Sequence, residues 1–184
     1  LTQELKIRKM KKQIDFYFDV VSPYSYVAST LIEDVAQRCN ADLLWNPILL
    51  GGIFKAVGTP NAPGLTPAKK PYMLKDLQRL SKHNGIPLQM PPDFPVRTVL
   101  VMRTLSGLPP EQIPQAAHTL FNAYWADNLD IADPEVVASL IGQEAVERAG
   151  MHEVKVALFK NTEEAVKRGA FGAPTFFVED EMFF

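Results

Sequence analysis

The sequence predicts an α/β fold in which a long helical stretch interrupts a small mixed sheet. Three observations carry that prediction. Residues 14–50 are patterned strand, helix, strand; residues 97–170 are patterned almost wholly at helical spacing; and β signal returns after Gly172-Ala173-Pro174.

Taken in order, residues 14–21 read as a buried strand, with Phe16, Phe18 and Val20 on one face and Tyr17 and Val21 on the other. From about Tyr24, the residues Val27, Ala28, Leu31, Ile32, Val35 and Ala36 recur at helical spacing, and Asn40 marks the stop. Residues 43–50 are a second apolar run. Two strands joined by a helix within about 35 residues form a βαβ unit, so they are expected to run parallel.

Residues 51–95 change character. Gly51-Gly52, Gly58 and Gly64 are expected to break the chain, and eight of the 15 prolines fall between Pro60 and Pro95. One helix is expected inside this stretch, opened by Thr66 as cap with Pro67 in its first turn. It would pack through Met73, Leu74, Leu77 and Leu80 and end at Asn84-Gly85. Excursions of this kind are where substrate sites are often built.

Helical spacing then covers residues 97–106 and 111–126, the latter through Ala117, Leu120, Phe121, Tyr124 and Trp125. Asp133-Pro134-Glu135 opens another helix carrying Val136, Val137, Leu140 and Ile141. A last one holds Val154, Ala157, Leu158 and Ala165 and stops at Gly169. Residues 175–178, a turn at Glu179-Asp180-Glu181, and Met182-Phe183-Phe184 read as an antiparallel hairpin. The chain stops within that second strand, so a C-terminal helix covering the sheet is expected to be missing. The architecture is a thioredoxin-like fold with an inserted all-α domain. Residues 14–60 and 171–184 form the discontinuous thioredoxin-like part, and residues 61–170 the insertion.

Composition bounds the function. Hydrophobic residues at 47% and charged residues at 22% are ordinary for a soluble globular domain. A net charge of −2 argues against general nucleic-acid binding, and Lys6, Arg8, Lys9, Lys11 and Lys12 read as a solvated tail. The single cysteine, Cys39, allows no internal disulfide and is expected to be a buried structural thiol. His83, His118 and His152 lack ligand spacing, so no metal is expected. No run approaches the roughly 20 apolar residues of a membrane span, and no signal-peptide core is seen. A cytoplasmic location is expected.

The most informative segment is Ser22-Pro23-Tyr24-Ser25, between the first strand and its helix. Thioredoxin-like redox proteins carry a Cys-x-x-Cys pair in this context. Serine here cannot cycle through a disulfide, but its hydroxyl can donate a hydrogen bond to an anion. The helix N-terminus behind it adds unpaired N–H groups and a positive dipole end, both favouring a thiolate. The alternative is a plain serine N-cap followed by proline.

Asp15-Phe16-Tyr17-Phe18-Asp19 followed by this tetrapeptide resembles the opening of kappa-class glutathione transferases and 2-hydroxychromene-2-carboxylate isomerases. Lys75-Asp76-Leu77-Gln78-Arg79, Gly85-Ile86-Pro87-Leu88, Phe171-Gly172-Ala173-Pro174-Thr175 and the ending Asp180-Glu181-Met182-Phe183-Phe184 extend the resemblance, which is closer to the isomerases. The resemblance implies a homodimer that uses glutathione, with Ser22 holding its thiolate and Pro23 and Tyr24 beside it. It implies that Pro174 is a cis-proline and that Ala173 offers its main chain to glutathione. Thr59 and Asn61 fall in the family's ligand-contacting Gly-x-x-Asn region. Lys55 lies near a substrate-binding lysine, and Phe94 stands where the isomerases place a tyrosine. On the residues alone, a surface lysine explains Lys55 and a strand-initiating proline explains Pro174. Tyr24, Tyr72, Phe94 and Trp125 fit either an aromatic pocket or core packing. The family's Gly-x-Asp-Arg segment, which binds the γ-glutamyl end of glutathione, would follow Phe184.

The activity implied is glutathione-dependent opening of a hydroxychromene carboxylate to trans-o-hydroxybenzylidenepyruvate in aromatic-compound degradation. A kappa-like transferase or peroxidase is the alternative. A disulfide oxidoreductase and a non-catalytic thioredoxin-fold binding module stand behind it.

Overall fold

The computed structural model describes residues 11–59 and 68–184. Strand β1 (Gln13–Phe18), helix α1 (Pro23–Arg38) and strand β2 (Asp42–Pro47) form the expected βαβ unit, with β1 and β2 parallel and Phe16 opposite Trp45. Between β2 and the next strand lie α2 (Leu50–Val57), α3 (Lys69–Asn84), α4 (Val99–Ser106), α5 (Ile113–Trp125), α6 (Pro134–Ile141), α7 (Gln143–Arg148) and α8 (His152–Lys167). Strand β3 (Thr175–Val178) pairs antiparallel with β1, placing Phe176 opposite Phe16. It turns back into β4 (Glu181–Phe183), giving the sheet order β2-β1-β3-β4.

Strand β1 lies inside the sheet, between β2 and β3, and side chains on both of its faces are covered. Phe16 and Phe18 are fully buried and pack against Trp45 with ring centroids 4.9 and 5.3 Å away. Phe121 of α5 closes on Phe18 at 5.8 Å, so this sheet face and the helices share one core that includes Val101, Leu105 and Leu120. On the opposite face Tyr17 and Phe177 pack with Ile53 of α2 and Ala165 of α8, a cover the periodicity does not assign. Arg168, just past α8, fixes that arrangement. Its guanidinium lies 3.9 Å from the Phe177 ring centroid and donates to Asp15 Oδ2 at 2.7 Å.

Helix ends follow from local chemistry. Asp133 caps α6 by accepting from the Glu135 N–H at 2.8 Å, with Pro134 in the first turn as read from the sequence. Gly85 ends α3 at φ 65°, a left-handed conformation that glycine adopts without Cβ strain.

Two expectations, the break at Gly51-Gly52 and the buried Cys39, are corrected, and the structure also decides α7 and Trp125. Gly51-Gly52 does not break the chain but lies inside α2, where Gly52 lets α8 approach; a Cβ there would sit 3.1 Å from Thr162 Cγ2. Helix α7, too short to show periodicity, carries no sequence signal strong enough to separate it. Cys39 is exposed rather than buried, because it is the C-cap of α1 on the polar Gln37-Arg38-Cys39-Asn40 exit. Trp125 belongs to the core, fully buried, with its indole N–H donating to Val20 O at 2.8 Å. The expected cap at Thr66-Pro67 and the basic Lys6, Arg8 and Lys9 lie outside the described residues. Among those described, no helix is long and apolar enough to cross a membrane, and no cluster of His, Cys, Asp or Glu could hold a metal ion.

Candidate active site

The turn from β1 into α1 is fixed by its own backbone and by one buried carboxylate. Ser22 N–H donates to Asp19 O at 3.0 Å, closing the turn, and Ser22 adopts the extended backbone of an N-cap at φ −85°, ψ 115°. Its hydroxyl accepts from Ser25 N–H at 3.1 Å and donates to Ala173 O at 2.8 Å, across 151 residues of chain. The cap reading is thus correct as local structure, worth about 1 kcal/mol. The tether to Ala173 goes beyond a cap, since it joins the helix start to the loop before β3. The Ala173–Pro174 peptide is cis. As the second residue of α1, Tyr24 has no intrahelical carbonyl for its N–H, and the positive end of the helix lies at the Ser22 cap.

Apolar patterning alone does not single out Asp19, although a carboxylate inside Phe-Tyr-Phe-Asp-Val-Val is a signal in itself. Buried charges need partners, and the pattern shows where to look for them. The side chain is 1% exposed and accepts from Val21 N–H at 3.1 Å and Leu50 N–H at 2.9 Å. Leu50 opens α2, whose own N-cap residue, Leu49, has no capping side chain. Asp19 therefore caps α2 from another element, while Thr162 of α8 accepts the Leu49 N–H at 3.0 Å. The buried Thr98, the residue before α4, lies beside the carboxyl. Burial pushes the Asp19 carboxyl above its usual range, and the two backbone N–H groups and Thr98 pull against that rise.

Ser22 opens into a cavity of ≈ 1180 Å³ whose walls are largely apolar. That exceeds the roughly 300–1,000 Å³ of ordinary small-molecule sites and leaves room for two ligands side by side. Ser22, Pro23, Tyr24, Ala173 and Pro174 line it together, with Thr59 and Phe94 on the same cavity. Tyr72 also lines it, whereas Trp125 does not. Lys55 does not line it either: α2 turns Ile53 and Phe54 inward, which leaves Lys55 exposed on the outer side. Asn61 lies outside the described residues. Tyr24 donates to Asp76 Oδ2 of α3 at 3.1 Å, and burial, then that carboxylate, raise its phenol to about 12. Tyr24 is therefore a neutral hydrogen-bond donor at any physiological pH. Ser25 is fully buried with an unpartnered hydroxyl, so only its backbone serves the site.

The geometry defines a thioredoxin-fold protein in which serine occupies the redox corner beside a cis-proline. The chain belongs to the DSBA-like thioredoxin domain family, whose profile matches residues 13–184. It is 32% identical to glutathione S-transferase kappa 1 of Homo sapiens over 183 residues, covering 90% of this chain and 80% of that one. It is 31% identical to 2-hydroxychromene-2-carboxylate isomerase of Pseudomonas putida over 177 residues, covering 92% of this chain and 86% of that one. A solved 2-hydroxychromene-2-carboxylate isomerase superposes with a TM-score of 0.81 at 28% identity, covering 94% of this chain and 88% of that one. These relatives are enzymes of two kinds, isomerases and glutathione transferases.

Proposed function

We propose that the protein is a glutathione-dependent isomerase that opens 2-hydroxychromene-2-carboxylate-type substrates to the trans-o-hydroxybenzylidenepyruvate. One observation carries the reading. A serine hydroxyl at a helix N-terminus, tied to the residue before a cis-proline, faces a large apolar cavity where a redox pair would otherwise sit.

The chain's residues fit glutathione at this corner. Ser22 Oγ, released from Ala173 O, becomes a donor to a sulfur anion, and the freed Ala173 carbonyl becomes an acceptor for a peptide N–H. Each hydrogen bond to the ionised form favours it, and the helix dipole adds to the effect. Pro23 and Tyr24 flank the same point, and Thr59 and Asn61 belong to the ligand-contacting stretch. When bound, glutathione supplies the nucleophile for ring opening and is returned unchanged, which is why the chain needs no thiol of its own. The apolar walls, Phe94 among them, exclude water and receive the aromatic body of the substrate.

The 32% identity to a human kappa transferase favours a second reading, conjugation of glutathione to an electrophile. Two assays on the purified protein separate them: glutathione-dependent isomerisation of 2-hydroxychromene-2-carboxylate, and conjugation of chlorodinitrobenzene. Isomerisation without conjugation supports the proposal; conjugation without isomerisation replaces it with the transferase.

A further inference from the structure

The cavity walls hold three charged residues: Asp19, Lys69 and Arg97. Asp19 is sealed and its oxygens are bonded, so the charge that reaches the cavity's solvent is cationic. Lys69 already has an interaction of its own. Arg97 is exposed, and its side chain makes no salt bridge or hydrogen bond among the described residues. Its backbone is nevertheless close to the turn, because the next residue, the buried Thr98, lines the same cavity as Asp19 and Ser22 and lies beside the Asp19 carboxyl. The preceding Phe94 and Val96 line the same cavity. An aromatic wall that ends in an uncommitted guanidinium matches a flat aromatic body bearing one carboxylate.

We propose that Arg97 receives the carboxylate of the second, aromatic ligand and so makes the cavity selective for aromatic acids. This rests on the isomerase reading for the identity of the substrate, but not for the existence of the site. Arginine suits the role because its planar fork pairs with a carboxylate through two parallel hydrogen bonds, which a lysine ammonium cannot match. Lys55, on the outer side of α2, has no access to this position. Glutathione also carries carboxylates, so the test must tell the two sources apart.

The experiment is calorimetric titration of the whole protein with 2-naphthoate, with the neutral 2-naphthamide, and with glutathione. Wild type should bind the acid about tenfold more tightly than the amide, the scale of a charge-assisted hydrogen bond. Arg97→Gln should erase that preference while holding glutathione within about twofold of wild type. Arg97→Met keeps the apolar stem and should behave as Arg97→Gln does. The proposal is overturned if wild type shows no preference for the acid, or if the preference survives in both variants. It is equally overturned if Lys69→Gln abolishes the preference, or if the Arg97 variants lose glutathione and keep the acid. The naphthoate titration needs neither glutathione nor turnover. A failed isomerase assay and a failed acid preference are therefore separate results.

Discussion

The two sides of the cavity are built on opposite plans. On the sheet side, Asp19, Ser22 and the loop before β3 are tied together, Asp19 and Ser22 are buried, and both make several hydrogen bonds. On the helical side, Phe94 is half-buried, Tyr72 is 59% exposed and Arg97 is exposed. One wall is over-determined and the other is loosely held. Chemistry that must be preorganised belongs to the first, whereas selection of a variable ligand suits the second. Substitutions should therefore cost stability and rate on the sheet side and mainly specificity on the helical side.

The largest effect is expected from Asp19→Ala. It orphans the Val21 and Leu50 N–H groups in a buried site and should cost about 3 kcal/mol, measured by urea unfolding. A loss well under about 1 kcal/mol would mean that α2 is capped by some other route. Ser22→Ala comes next. Its activity with glutathione should fall about 100-fold, the scale of one lost donor to a developing anion, while stability falls by only about 1 kcal/mol. An unchanged rate would leave Ser22 as a helix cap and nothing more. Gly52→Val should cost about 1–3 kcal/mol by pushing α2 off Thr162, visible as a lowered melting temperature.

A pH experiment reads Asp19 directly. Its carboxyl is raised in the folded protein by burial, so the folded chain keeps a proton that the unfolded chain releases near pH 4. The stability this contributes is fully present below about pH 4 and is lost as pH rises through the folded value. The advantage of wild type over Asp19→Asn should therefore shrink between pH 4 and neutrality; a gap that widens with pH would reverse the sign of the account. The smallest effect is expected at Tyr72→Phe on the loose wall, within about 0.5 kcal/mol of wild type. A large loss there would erase the contrast between the walls.

Much of the fold was legible because strong periodicity and punctuation coincide. The alternation through Phe16 and Phe18, the Asp133-Pro134 start and the Asn84-Gly85 stop each state a local preference that the tertiary structure keeps. Ser22, Ala173 and Pro174 were legible through motif, and the structure brings them together. What escaped was decided by packing partners remote in sequence. Gly51-Gly52 reads as a break until Thr162 is seen against Gly52. Trp125 reads as pocket or core until its indole reaches Val20 O. Asp19 was in plain view, but its partners Leu50 and Thr98 lie on other elements, 31 and 79 positions away. Lys55 shows the limit of positional matching, since one turn of α2 decides whether a side chain enters the cavity or leaves it.

The central claim is that Ser22 and the α1 N-terminus hold a thiolate. It is tested most directly by titrating the thiol of glutathione bound to the protein, following thiolate absorbance against pH, in wild type and in Ser22→Ala. In wild type the bound thiol should ionise at least about one unit below a free thiol near 8.5, with most of that depression lost in the variant. A bound thiol that titrates like free glutathione in wild type, or identically in both proteins, would contradict it.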